Sequence, residues 1–473
     1  MPESETESST INIQDQYPKM SGNNKEIISS SRRPSSSSMS KEERLSSTQN
    51  VPEKDVEKAV PPLPSGPGAF NPADFPDGGR EAWLVVAGAS LILFCSFGLI
   101  NCAGVFVQYY ANGPLKNYST SSITWITSLQ IFLQSGSNLL MGHLFDSYGT
   151  KWILPVGTVV YTLGLMLLSL STEFYQIILT QGIICGVGAA AVFNCANNST
   201  LTWFYKHRAA ALGIVISGSS VGGVVLPILM SKLIPRIGFP WTVRILGFIA
   251  LFCCSVGCFT VKSRLQPRPK TFHFVNVVKP FRELTFSLVV AAAFFTYWGI
   301  FLPYNYLNIE AQEQGISPTL VPYLLPIVNA VSILGRIIPG IIADRVGRFN
   351  VVILIASLSG IITLALWVPG KSTATTIVYG AAFGFTSGGF ISLLPTIIAQ
   401  ISDIREIGAR SGALLFVGSL GALTGSPIGG AIVTAQNGDY MGLKLWTGLT
   451  ILVSALIFVV ARAVQVRFRF VKI

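Results

Sequence analysis

From Trp83 to about residue 463 the chain is a succession of apolar runs, each about long enough to cross the hydrocarbon core of a bilayer. A membrane-spanning helix needs about 20 predominantly apolar residues. Twelve runs approach or exceed that length, near 83–106, 121–142, 152–170, 175–200, 209–231, 241–261, 286–305, 319–341, 349–368, 374–400, 406–432 and 443–463. Backbone polar groups in lipid must be satisfied within the segment, and runs of this length do so as helices. The expected fold is therefore an all-α membrane protein with twelve transmembrane helices. Charged residues make up only 12% of the chain, about half the share of a soluble protein.

The runs fall into two sets of six, at 77–261 and 286–463, joined by a polar, basic connection at 262–285. Residues 1–76 are rich in Ser, Pro, Lys and Glu without apolar periodicity. Such a segment buries too little surface to offset its chain entropy and is expected to be disordered and cytosolic. Within it Arg32-Arg33-Pro34-Ser35 resembles a basophilic kinase site. Residues 464–473 form a short cytosolic C-tail.

The net charge of +11 is uneven: residues 1–80 hold 9 Lys/Arg and 12 Asp/Glu, and the rest of the chain holds 24 and 10. Membrane proteins concentrate Lys and Arg in their cytosolic loops. The basic excess thus reads as orientation, with both termini cytosolic, and not as nucleic-acid binding. The first 30 residues are polar, so the first apolar helix is expected to direct insertion, most simply into the plasma membrane. On this topology Asn117-Tyr118-Ser119 is an external glycosylation sequon. All seven cysteines lie in apolar runs and read as packing residues.

The two halves repeat. The loop after the second helix reads Gly142-His143-Leu144-Phe145-Asp146-Ser147-Tyr148-Gly149, and the loop after the eighth reads Gly340-Ile341-Ile342-Ala343-Asp344-Arg345-Val346-Gly347-Arg348. Both are Gly-x3-Asp-x2-Gly at equivalent places. The fifth and eleventh helices also echo each other: Arg208 leads into Gly213, Gly218, Gly222 and Pro227, as Arg410 leads into Gly412, Gly418, Gly421 and Pro427. Parallel repeats imply two halves that rock about a site between them. The aspartate can cap a helix start and the glycines allow close approach, which together make a conformational latch.

These loops resemble the loop signature of the major facilitator superfamily, fully at 340–348 and with Ser147 in place of the usual arginine in the first copy. A finer resemblance covers most of residues 77–463. Asp77-Gly78-Gly79-Arg80-Glu81-Ala82-Trp83 looks like the first-helix motif of the monocarboxylate porter family. Trp203 through Gly213, with Lys206 and Arg208, followed by Ser217-Gly218-Ser219-Ser220-Val221-Gly222, looks like its fifth-helix motif. The serine-rich tail suggests the fungal branch, whose cargo is diverse. The resemblance implies that Arg336 is the family's anion-contacting arginine. It also implies two lost charges, because Ser332 stands where an aspartate is usual and Asn101 where a lysine is usual.

An arginine inside a span is costly and marks a cavity or a partner helix. Asn329, Ser332 and Arg336 share one helix face by their spacing. Gln130 and Gln134 on the second helix, Asn194 on the fourth, Asn101 on the first, and Tyr297 and Tyr304 on the seventh complete a candidate cavity that is polar but mostly uncharged. The acids from residue 82 onward fall in loops or at helix ends, so no buried proton relay is expected and a facilitator without obligatory proton coupling is favoured. No Walker lysine loop, zinc spacing or nucleophile elbow is present, which leaves no expectation of an enzyme, a cofactor or a metal. The expected function is transport of a small organic solute, monocarboxylate-like or related. The alternatives are efflux of a fungal secondary metabolite or toxin, and a non-transporting receptor with a signalling tail.

Overall fold

The computed structural model describes residues 75–118, 120–265, 278–403 and 406–466. The serine-rich tail with its kinase-like site, the middle of the basic connection and the end of the C-tail lie outside the described residues, so those expectations are not addressed. Among the described residues ten helices are long and apolar enough to cross a membrane.

Two local features reconcile ten helices with twelve segments. The longest helix, α8 below, runs for 53 residues as Arg208–Thr260 and turns back at Gly238, whose φ of 78° is non-helical. It therefore supplies the fifth and sixth segments. The second segment is interrupted at Ser137 into two helices too short to count alone.

In chain order the first segment is α1 (Gly79–Ile100) and α2 (Ala103–Asn112), and the second is α3 (Thr120–Gly136) and α4 (Asn138–Tyr148). The third is α5 (Thr150–Leu168). The fourth is α6 (Phe174–Ile177), a π-helical stretch Ile178–Cys185 and α7 (Gly186–Trp203). After α8 (Arg208–Thr260) the seventh segment is α9 (Leu284–Ile300) and α10 (Leu302–Glu313), and the eighth is α11 (Val321–Val346). The ninth is α12 (Arg348–Ile362) with a π-helical turn Thr363–Trp367. The last three are α13 (Thr373–Gln400), α14 (Ile407–Ala435) and α15 (Met441–Val466).

The first and seventh segments break at matching places. α1 ends at Asn101, and α9 ends at Phe301. Pro303 is the second residue of α10, where its missing N–H costs nothing because the first helical amides have no partner within the helix.

Each half has its own apolar core. One runs from Ala82 to Val261, and the other is drawn from Phe286 to Ala461 with Ala209 of α8 added to it. Large apolar side chains such as Trp152, Phe259 and Leu456 stay exposed on the outer faces, as lipid contact requires. The halves meet chiefly where the fifth segment packs on α11 and where α3 and α4 pack on α14.

Candidate functional site

Both copies of the loop motif make the same contact. α4 ends at Gly149 and α11 at Gly347, with φ of 69° and 112°, a region that glycine enters without steric cost. Each turn presents its aspartate to a helix start in the opposite half. Asp344 accepts the backbone N–H groups of Ala209 (3.1 Å) and Ala210 (2.9 Å) at the start of α8. Asp146 accepts those of Gly408 (3.0 Å) and Ala409 (2.9 Å) at the start of α14. The first amides of a helix have no partner within it and carry the positive end of its dipole, and a carboxylate answers both. The motif's first glycine allows the approach: a Cβ on Gly340 would strike the Ala209 carbonyl, and one on Gly142 the Gly408 carbonyl.

Basic residues reinforce this end. Arg348 donates to Asp344 (3.1 Å) and to the Tyr205 carbonyl (2.8 Å). Arg345 is exposed, so the ion pair of this turn is made by Arg348. Arg208 is buried and donates to the carbonyls of Phe204 (2.9 Å) and, across the interface, Ala399 (3.1 Å). Lys206 is exposed, but its backbone N–H joins those of Tyr205 and His207 on Asp77 Oδ1 at 2.6, 2.7 and 3.3 Å. The motifs at 77–83 and 203–213, separate in sequence, are therefore one physical unit. Higher on α8, Gly213 abuts the Arg336 carbonyl, Gly218 lies against Ser90, and Gly222 against Gly98 of α1.

Arg336 lies in the seam between the halves, only 5% exposed. It donates to the Ile216 carbonyl (2.6 Å) and to Ser219 Oγ, both on α8. One turn away Ser332 and Ser220 share a hydrogen bond of 2.6 Å. Asn329 and Asn101 converge on Gly223, whose missing side chain leaves room for both carboxamides. Tyr304 bonds Ser387 (3.2 Å), and the next residue, Gly388, packs on the Arg336 side chain. Tyr297 lies against Gly418 of α14. The helix face read from sequence is thus real, but it is occupied by the opposite half. The Nε–H of Arg336 is buried without a partner.

Gln130 and Asn194 belong to two hydrogen-bonded chains inside the first half, and Gln134 lies between them. Tyr110 donates to Gln181 (2.5 Å), and Gln181 to Gln130 (3.1 Å). Asn194 donates to Asn138 (3.1 Å), and Asn198 to Asn194 (3.1 Å). Between the two chains Gln134 is fully buried with both ends of its carboxamide unpartnered. Sequence reasoning missed Gln181, which lies in the π-helical stretch where helical spacing no longer reports the face. An apolar groove lined by Ser122, Trp125, Leu129, Phe174 and Ile178 lies elsewhere, on the second and fourth segments. Asn117 is exposed in the turn after α2, and Ser119 of its sequon lies outside the described residues.

A family model described as Major Facilitator Superfamily matches residues 89–379 and 284–471. The chain belongs to that superfamily. Among curated relatives it is 47% identical over 410 residues to "MFS-type transporter 1" of Ophiocordyceps sp. (strain BCC 1869), covering 87% of this chain and 90% of the relative. It is 40% identical over 398 residues to the "Fujikurins efflux protein" of Gibberella fujikuroi, covering 84% and 86%. The crystal structure of the human organic anion transporter MFSD10 (TETRAN) superimposes with a TM-score of 0.64 at 16% identity, over 80% of this chain and all of that one. That likeness confirms the fold of this facilitator-superfamily transporter.

One of the acids that the sequence places at a helix end is not in solvent. Glu310 does fall in the last turn of a helix, but it is buried, 4% exposed, and not solvated. It forms an ion pair with Lys444 of α15, itself 5% exposed. Trp367 Nε1 donates to Glu310 Oε2 (2.6 Å), and Gln314 donates to Oε1 (2.7 Å), the oxygen that faces Lys444. The physical reason is that the seventh segment continues through α10 to Glu313, eight residues past the apolar run. Lys444 is therefore, like Arg336, a buried cation within a helical segment. The visible sign was Lys444 itself, an ammonium in an apolar run that needs an acid beside it.

Proposed function

We propose that this transporter exports a small organic secondary metabolite by alternating access. The observation that carries the reading is the reciprocal closure, in which each half's loop carboxylate holds the other half's helix start. Such a contact closes one end and breaks as a unit when the halves rock. The cargo class is supported by the efflux relative named above. On the distribution of Lys and Arg we place the closed end and both termini in the cytosol, and export out of the cell places the protein in the plasma membrane. Asn117 then lies outside, open to glycosylation.

A monocarboxylate-like cargo, as in the finer resemblance to the porter family, is the second reading. The buried, unpartnered Nε–H of Arg336 favours it, since a guanidinium fork suits a carboxylate. In the state described here, however, Arg336 Nη1 is held by α8. Any anion must displace Ile216 and Ser219 from it.

Comparative metabolite profiling of producing cells, with and without the protein, tests the export reading. Loss of the protein should raise the internal-to-external ratio of one or a few metabolites, and Arg336→Ala should reproduce the change at normal surface expression. Ratios unchanged for every metabolite would refute export and favour a non-transporting receptor.

A further inference from the structure

Gln134 stands at the middle of the second segment, fourteen residues from each end of 120–148. It lies in the last turn of α3, just before the break at Ser137. Asn138 holds that break by donating to the carbonyls of Gln134 (2.6 Å) and Ser135 (3.1 Å). The opposite half reaches the same place. Gly412 of α14 packs on the Asn138 carbonyl, and Gly136 lies against Ser419 of α14.

The Gln134 side chain is fully buried, and its carboxamide has no partner at either end. Burying an amide without hydrogen bonds is costly, and buried polar groups in native proteins are nearly always paired. Its neighbours on the helix face obey that rule. One turn earlier Gln130 accepts from Gln181 (3.1 Å), and one turn later Asn138 accepts from Asn194 (3.1 Å). Every side chain in these two hydrogen-bonded chains is neutral.

The internal repeat explains why Gln134 is left over. The motif glycines Gly142 and Gly340 are 198 positions apart, which matches Gln134 with Ser332. Ser332 meets Ser220 across the seam (2.6 Å). The arginines that open α8 and lead into α14, Arg208 and Arg410, are 202 positions apart, which matches Ser220 with Ala422. An alanine has no side-chain donor or acceptor. The polar position of the second half is therefore closed by the protein itself, and that of the first half is not.

We propose that Gln134 binds the exported metabolite through an uncharged amide edge, an N–H and a C=O side by side, as in a lactam, an imide or a primary carboxamide. Gln134 offers the matching pair, a carbonyl that accepts and an amino group that donates. A cis-amide meets both at once. A ketone of the same shape meets only one and leaves the Gln134 carbonyl buried and unpaired. The neutral surroundings suit an uncharged group, in contrast to the guanidinium of Arg336. Gln134 is covered in the state described here, so the cargo reaches it as the neighbouring contact with α14 parts. The proposal names the cargo chemistry of the export reading above and rests on that reading.

The test uses two six-membered rings that differ at one ring position, δ-valerolactam and cyclohexanone. The full-length protein in nanodiscs is titrated with each, and the rise in its unfolding temperature gives the affinity. The lactam is expected to bind about ten-fold more tightly than the ketone, equivalent to about 1.4 kcal/mol. Gln134→Met keeps the length of the side chain, removes both polar ends and should erase the preference. Should that variant not fold, Gln134→Leu carries the same expectation. A lactam that does not stabilise the wild type, equal affinities for the two rings, or a preference that survives without Gln134 overturns the proposal. Binding is read here without transport. A lactam preference in a protein whose loss leaves every metabolite ratio unchanged therefore counts against the export reading alone. Export of metabolites that lack an amide edge, with equal affinities for the two rings, counts against the Gln134 site alone.

Discussion

The two loop turns share one backbone plan and differ in one cation. In both, a carboxylate takes two N–H groups from the first turn of a helix in the opposite half, at 2.9 to 3.1 Å. In the 340–348 turn the residue after the last glycine is Arg348, four positions beyond Asp344 and bonded to it. At the matching place in the 142–151 turn stands Thr150, which has no charge to offer. The position where the resemblance places the motif's arginine is a different one, Ser147 in one copy and Arg345 in the other. Ser147 is buried, and Arg345 is exposed. The comparison teaches that the helix cap is the contact the two turns share and the arginine is an addition to it.

Hydrogen–deuterium exchange of the capped amides separates the two contributions. The largest effect is expected from Asp344→Ala. It removes the cap on Ala209 and Ala210, worth about 0.5–2 kcal/mol, and leaves Arg348, with its side chain only 11% exposed, without its carboxylate. The cap alone corresponds to a rise of about two- to thirty-fold in exchange at residues 209–210, at 1.4 kcal/mol per decade, and the stranded Arg348 should carry the effect beyond that of the cap, with a matching loss of transport. Asp146→Ala should come next, raising exchange at residues 408–409 by about ten-fold through the cap alone. Equal effects of the two substitutions would show that the cation adds nothing in the 340–348 turn.

Much of this molecule was legible as sequence, and the parts that were not share a cause. Twelve apolar runs and a repeated glycine–aspartate pattern are one-dimensional signals, and they placed the segments and both turns. The face of Asn329, Ser332 and Arg336 was also legible, because helical spacing reports which residues lie together. Spacing does not report what lies opposite. Sequence therefore suggested a cavity where Arg336 instead meets Ile216 and Ser219 of the other half. α10 escaped because Leu302–Glu313 contains Asn305, Asn308, Glu310 and Gln312, too polar to register as a span. Its buried face was decided by Lys444 and Trp367, far along the chain. Asp77 shows the same limit, since one carboxylate unites two motifs that are more than a hundred residues apart.

The smallest expected effect is also the one that sharpens the comparison most. Arg348→Thr gives the 340–348 turn the residue that the 142–151 turn already has at this place. It leaves both bonds from Asp344 to Ala209 and Ala210 in place. What is lost is an i,i+4 ion pair between partly shielded side chains and one hydrogen bond to the Tyr205 carbonyl. Pairs of this kind contribute about 0.2–1 kcal/mol, so exchange at residues 209–210 should rise only about two- to five-fold. If Arg348→Thr instead matches Asp344→Ala, the carboxylate serves mainly to position the arginine, and closure in this turn runs through Tyr205. The 142–151 turn would then close by a different mechanism despite its identical backbone contacts. If the rise stays small, the two turns become alike once the cation is gone, and the N–H cap is sufficient for the proposed latch.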